Sequence, residues 1–190
     1  CILSPLLFNL YLNDLPNHIA TDPLSDPFTL PNGTKLNTLL YADDLILLSN
    51  SKLGLQNCIN AVASFCNMWK LSVNEKKSKV MIFSTKSSKR LRQTKFMINN
   101  KHLETVDEYT YLGVKISSTG NFARNQLQTK EKALQHAFYS LTRRVDLKKL
   151  TTKNANKLFE TTVVPILSYG CEIWYAYTIY IVLNLGKRVH

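Results

Sequence analysis

Asp43 and Asp44 are the side chains whose type and spacing point most directly to chemistry. They are adjacent, inside Tyr41-Ala42-Asp43-Asp44, between two short apolar runs, Leu36–Tyr41 and Leu45–Ser49. Neighbouring carboxylates at a tight turn repel each other unless a cation lies between or beside them. Hard divalent cations such as Mg²⁺ take carboxylate oxygens. Polymerases use two such ions to activate a primer hydroxyl and to hold a triphosphate leaving group. Aspartate is also common in turns for reasons of local hydrogen bonding. Taken bare, the pair is better explained that way, so its surroundings must decide.

The two apolar runs with a short polar link predict a β-hairpin with the aspartates at or near its turn. Burial of Leu39, Leu40, Ile46 and Leu47 would hold the carboxylates rigidly. Upstream, Ser4-Pro5 predicts a helix start, with Ser as cap and Pro in the first turn. Leu7, Tyr11 and Leu15 follow, with Phe8 and Leu12 beside them, and Pro16 ends the run. Residues 17–34 read as a loop with a turn at Pro31-Asn32-Gly33. Leu55, Ile59, Val62, Cys66 and Trp69 give a helical period over 53–70. Val80–Phe83, Phe96–Asn99 and Tyr109–Ser117 read as strands, with a turn at Asn99-Asn100. From Phe122 the pattern is helical, with an apolar stripe of Leu127, Leu134, Phe138, Leu141 and Val145. A second helix covers Lys153 to Val164 and stops near Pro165. A domain break is expected near residue 120, where strands give way to helices.

The net charge of +11 is unevenly placed. Residues 1–69 hold two basic and five acidic residues, whereas 70–190 hold 22 and 8. This asymmetry suggests a polyanionic partner for the later part, with a solvated lysine-rich surface as the plain alternative. The four cysteines form no CxxC pair and no zinc spacing, which suits a reducing, intracellular compartment. The four histidines show no metal spacing either. Trp69 and Trp174 sit on apolar patterns and read as core. The most apolar stretch, Ile173 to Leu183, falls short of the ~20 residues of a membrane span, so no membrane partner is expected. No signal peptide is visible. The chain begins at Cys1 and opens directly on a helix pattern, which reads as a fragment of something longer.

Five segments, in order, carry a family resemblance. Leu3-Ser4-Pro5-Leu6-Leu7-Phe8-Asn9 and Leu40-Tyr41-Ala42-Asp43-Asp44-Leu45 resemble the palm helix motif and the catalytic hairpin of reverse transcriptases. Asn74–Phe83 is similar to the basic motif that follows the hairpin, and Tyr111–Ser117 to the element bridging palm and thumb. Pro165–Trp174 is similar to a downstream segment of LINE (non-LTR retrotransposon) enzymes. Each motif is weak alone, but five in sequence are specific.

The resemblance implies an α+β fold: a partial right-hand polymerase palm, ferredoxin-like, over 1–120, followed by a truncated helical thumb portion over 121–190. It implies RNA-directed DNA polymerisation from an RNA template, a DNA primer and deoxynucleoside triphosphates. Mg²⁺ is the implied cofactor, with Mn²⁺ as a substitute. Asp43 would be a metal ligand and catalytic residue, with Asp44 sharing or supporting the site. Tyr41 and Ala42 would lie next to the primer end. Ser4, Pro5, Phe8 and Asn9 would lie near the nascent base pair and template, where a helix N-terminus offers free N–H groups. Lys77 would approach the triphosphate, although it is one of nine basic residues between Lys70 and Lys95. Gly113 would belong to a strand pair that grips the primer, and its position between two β runs suggests a bend or a close backbone approach. Lys130, Lys132, Arg143, Arg144, Lys148 and Lys149 would form a basic face for duplex phosphates. Nuclear work is implied by the family alone.

Two departures from the family pattern limit these expectations. The family places a further metal-binding Asp upstream of the palm helix, and Cys1 follows where that region would be. Two-metal chemistry needs carboxylates from both places, so the fragment alone is expected to be inactive. After Trp174, Tyr175–Leu185 is aromatic and aliphatic where the family is basic and polar. The rival from another class is a non-catalytic nucleic-acid-binding remnant using the basic region 70–157. Another palm enzyme such as a nucleotide cyclase is disfavoured by the motifs after the hairpin.

Overall fold

A computed structural model describes residues 3–83, 94–120, 122–146 and 149–173. Helices and small sheets are mixed, an α+β architecture. In chain order the elements are α1 (Ser4–Tyr11), α2 (Leu15–Ala20), β1 (Phe28–Thr29), β2 (Lys35–Leu36), β3 (Thr38–Tyr41), β4 (Asp44–Leu47), α3 (Lys52–Met68), β5 (Lys79–Val80), β6 (Phe96–Ile98), β7 (Lys101–Thr105), β8 (Glu108–Tyr111), β9 (Val114–Ser117), α4 (Phe122–Arg144) and α5 (Thr152–Ser168). Two compact units result, one of Cys1–Ile82 with Ser87–Val106, the other of Phe83–Lys86 with Asp107–His190. They divide ahead of the change from strands to helices near 120.

The first unit is built around α3. Ser51 caps its start by accepting from the Gly54 N–H at 3.1 Å. At its end Lys70 turns left-handed at φ 57, and the Leu71 N–H returns to the Cys66 carbonyl at 2.8 Å, which closes the last turn. One side of α3 buries Cys58, Val62 and Phe65 against Leu12, Leu15 and Ile19 of the α1–α2 segment. Ile59 on another side packs with Val80, Phe96, Ile98 and Leu103. Those residues belong to a three-stranded sheet of order β5-β7-β6, with β5 parallel and β6 antiparallel to β7. Asn99 and Asn100, at φ 47 and 62, make the β6–β7 turn expected there. Asparagine tolerates that conformation better than most residues.

Several expectations are corrected. The cap of α1 is Leu3, not Ser4: Leu3 is already right-handed at φ −78, ψ −19, and its carbonyl accepts the Leu7 N–H. Leu7 is exposed, because Phe8 and Leu12 take the side of α1 that meets the core. Residues 17–34 are not simply a loop. Pro16 sits in the first turn of α2, where no N–H is required, and Leu15 and Ile19 anchor that short helix. β1 and β2 then pair across the expected Pro31-Asn32-Gly33 turn, with Gly33 at φ 82. The strand expected over Val80–Phe83 is only Lys79–Val80. The stretch Tyr109–Ser117 is a hairpin rather than one strand, β8 and β9 paired around Leu112-Gly113, with the bend at Gly113 as expected.

In the second unit α4 packs on β9 and on α5. Of the expected stripe on and just after α4, Leu134, Leu141 and Val145 are half-buried as expected. Gln126 and Lys130 are inside, whereas Leu127 and Phe138 are exposed. Gln126 is 1% exposed and its Oε1 accepts the Lys115 N–H of β9 at 3.1 Å. That bond fixes a long polar side chain where periodicity alone would place a leucine. Helix α5 runs through Pro165 to Ser168 rather than stopping there. Proline so near the C-terminal end removes one hydrogen bond, and packing against α4 offsets it.

Gly54 joins three segments of the first unit. A Cβ there would lie 2.7 Å from the Ser25 carbonyl oxygen and 2.7 Å from Asp26 Cβ, and would also strike Ser49 Oγ. Ser49 Oγ itself donates to the backbone of this loop, 2.9 Å from the Asp26 carbonyl oxygen. Gly54→Ala is therefore expected to lower stability by about 1–3 kcal/mol through overpacking, measured by urea unfolding. An unchanged midpoint would show that the loop gives way freely.

Candidate active site

The aspartate hairpin is β3 and β4, paired Thr38↔Leu47, Leu39↔Ile46, Leu40↔Leu45 and Tyr41↔Asp44. Only Ala42 and Asp43 lie between the strands, so Asp43 is in the turn and Asp44 opens β4. Ala42 has φ 52. A left-handed alanine is uncommon and costs about 1–2 kcal/mol, so the paired strands hold this turn against local preference.

The alternating faces of a strand pair separate the roles. Leu40, Leu45 and Leu47 pack against the core cluster of α1, α2 and α3. Tyr41 and Asp44 share the opposite face with Leu39 and Ile46. Leu39 is 43% exposed, so the hairpin is pinned on one face only, not by all four expected residues. Asp43 and Asp44 are both exposed. Among the described residues neither carboxylate has a hydrogen bond or ion pair. Such uncommitted oxygen donors fit a hard divalent cation. Among the described residues no group of three or more His, Cys, Asp or Glu converges on one point.

Phe8 packs on the same cluster as Leu40 and Leu45, so α1 and the aspartate hairpin share one core. Ser4, Pro5 and Asn9 are exposed on that helix, and Tyr41 and Ala42 are exposed at the hairpin tip. Lys77 lies in a turn after α3. Its N–H meets Asn74 Oδ1 at 3.2 Å, and its side chain is exposed. Nearby lysines are engaged: Lys79 pairs with Glu104 at 2.5 Å and Lys101 with Glu75 at 2.6 Å. Trp69 packs edge-on against Tyr11, 5.1 Å between centroids, as a core-edge residue. Trp174 lies outside the described residues.

Gly113 belongs to the second unit, in the β8–β9 turn at φ 74. Of the expected basic face, Lys132, Arg143, Arg144 and Lys149 are exposed on α4 or just after it. Lys149 lies 3.4 Å from Asp146. Lys148 is outside the described residues. Lys130 is a correction, because it is only 9% exposed and cannot belong to a duplex-binding face. Its Nζ donates to the Ile166 carbonyl at 2.8 Å and lies 5.0 Å from the Tyr169 ring centroid. Burial pushes its pKa down, and Cys171 opposes that shift. The sequence missed Tyr169 as a structural partner of Gly113, and the clue was its place in the fifth motif.

The chain belongs to the reverse transcriptase (RNA-dependent DNA polymerase) family, which matches residues 1–116. Reverse transcriptases generally use divalent metals. The chain is 28% identical over 154 residues to a transposon-derived protein of Caenorhabditis elegans, covering 75% of this chain and 50% of that protein. It is 25% identical to the retrovirus-related Pol polyprotein of a type-1 retrotransposable element R2 from Popillia japonica, over 90% of this chain and 27% of the polyprotein. It is 26% identical to the RNA-directed DNA polymerase of the mobile element jockey from Drosophila funebris, over 91% of this chain and 18% of that enzyme. The chain thus spans half or less of each of these relatives. These likenesses accord with the LINE (non-LTR) type read from the five motifs.

Proposed function

We propose that this chain is part of the RNA-directed DNA polymerase of a LINE-type retrotransposon, with Asp43 and Asp44 holding divalent cation, Mg²⁺ or in its place Mn²⁺. One observation carries the reading. Two adjacent, exposed carboxylates, bonded to nothing else among the described residues, stand at the tip of a hairpin whose other face is pinned to a core. The reaction joins a primer 3′-oxygen to the α-phosphorus of a deoxynucleoside triphosphate on an RNA template. Pyrophosphate leaves, and the hydroxyl proton passes to solvent. A bound divalent cation would acidify that hydroxyl and neutralise the leaving phosphates.

The chain's own residues bind and orient. Asp43 and Asp44 supply carboxylate oxygens. Tyr41, on the face of Asp44, lies beside the primer end, with Ala42 setting the turn. Ser4, Pro5 and Asn9 line the template side, and Phe8 anchors their helix to the core beneath the aspartate hairpin. Lys77, exposed and without an ion pair among the described residues, meets the triphosphate. The Gly113 turn contacts the primer. Lys132, Arg143, Arg144 and Lys149 meet duplex phosphates, joined in sequence by Lys148. In this reading residues 1–120 are a partial ferredoxin-like palm and 121–190 a thumb portion, at work on chromosomal DNA in the nucleus. Fixing two ions needs a carboxylate beyond this pair, and among the described residues no third one converges with Asp43 and Asp44.

Primer extension by the full-length protein tests the site. Asp43→Asn is expected to lower the rate at least about 10²-fold, the scale on which one preorganised electrostatic group acts. Extension that survives Asp43→Asn would sink the two-metal account. The basic face has its own test in RNA–DNA duplex binding against salt. Lys132→Gln and Arg144→Gln are each expected to reduce the salt slope by about one, while Lys130→Met leaves the slope unchanged. A slope that falls for Lys130→Met instead would reverse the assignment of these side chains.

A further inference from the structure

We infer that Tyr169 is a positioning residue for the primer-contacting turn of β8–β9, and that Lys130 holds Tyr169 in place. The inference rests on the polymerase reading above, and it gives the fifth sequence motif, Pro165–Trp174, a task.

The turn is locally costly. Leu112 and Gly113 both have positive φ, 46 and 74. A two-residue hairpin turn of that hand suits the twist of the strands, but it favours Asn or Gly at the first position rather than leucine. Tyr169, 57 residues later, meets it directly. Its hydroxyl donates to the Leu112 carbonyl at 2.6 Å, which fixes the orientation of that peptide group. Its ring lies against Gly113 so closely that a Cβ there would be 3.0 Å from Cε1.

The neighbouring residues hold the tyrosine. The Tyr169 N–H bonds the Pro165 carbonyl at 3.1 Å, which places the residue just past the end of α5. Gly170, at φ 68, passes so near Val114 that a Cβ would lie 3.3 Å from its Cγ2. The Tyr-Gly pair therefore folds over both the turn and the first residue of β9. From α4, the Lys130 ammonium faces the Tyr169 ring and donates to Ile166. A cation over an aromatic face is attracted by the ring quadrupole, so α4 and α5 fix the tyrosine from two sides. A turn with a strained leucine and an external hydrogen bond takes its position from that bond rather than from its own sequence.

The test uses the full-length protein with RNA–DNA template–primer, read by fluorescence anisotropy, and amide hydrogen exchange of residues 108–117. Tyr169→Phe removes the donor and keeps the ring. It is expected to weaken duplex affinity roughly threefold to tenfold, the effect of one net hydrogen bond, and to speed exchange in the hairpin. Lys130→Met is expected to shift both readouts in the same direction. Leu112→Gly removes the conformational cost, so Leu112→Gly combined with Tyr169→Phe should recover both affinity and protection. A loss that Leu112→Gly does not recover would mark Tyr169 as ordinary packing and overturn the inference. Equal affinity of Tyr169→Phe and the unaltered protein would overturn it while the polymerase reading stood. An unaltered protein that binds no duplex would bring down the polymerase reading and this inference with it.

Discussion

Helix α3 is the member on which the first unit depends, because it is buried on two sides. Cys58, Val62 and Phe65 close one core with the α1–α2 segment, and Ile59 enters another with β5, β6 and β7. The aspartate hairpin hangs on the first of these through Leu40, Leu45 and Leu47. Each leucine side chain taken out of water contributes about 1.5–3 kcal/mol when burial is complete. These are partly buried, so the real contribution is a fraction of that, yet it also sets register. A slip of one residue would turn all three outward. The same packing holds Ala42 in a left-handed conformation it would not adopt alone. The carboxylates are therefore placed by a hydrophobic constraint on the far side of the strands.

The charge distribution follows a similar division of labour. Residues 1–69 carry net negative charge and residues 70–190 strong net positive charge. An acidic tip suits a cation, and exposed arginine and lysine on α4 suit a polyanion whose affinity is salt-dependent. Not every positive charge serves a surface. Lys130 spends its ammonium on a carbonyl and a ring inside the second unit. A count of basic residues along a helix overstates the face available to phosphates.

Much of this was legible in the sequence, and the failures have physical causes. The aspartate hairpin showed because two short apolar runs flank a short polar link. The Asn99-Asn100 turn showed because asparagine accepts positive φ. Helix α2 was hidden, since Pro16 reads as a stop yet is tolerated in a first turn, and only Leu15 and Ile19 anchor it. The bend between β8 and β9 showed at Gly113, whereas the part played by Leu112 was hidden because leucine is a poor candidate for its left-handed conformation. The inward placement of Gln126 and Lys130 on α4 was hidden because both are polar residues held by tertiary contacts, and no apolar period marks them. The contact between Tyr169 and the Leu112 carbonyl joins segments 57 residues apart. It requires the tertiary fold, and the motif alone shows only that the tyrosine is there. For the site, the carboxylate pair and helix α1 were singled out from motifs, whereas which hairpin face meets the core came only from register and burial.

The central claim is that Asp43 and Asp44 together hold a divalent cation. Titration of the isotope-labelled protein with Mn²⁺, read as paramagnetic broadening of backbone amide signals, tests it most directly. The account predicts that Ala42, Asp43, Asp44 and Leu45 broaden first, and that Asp43→Asn abolishes this early effect. Broadening that begins instead near Asp22 and Asp26, or that is unchanged by Asp43→Asn, would contradict it.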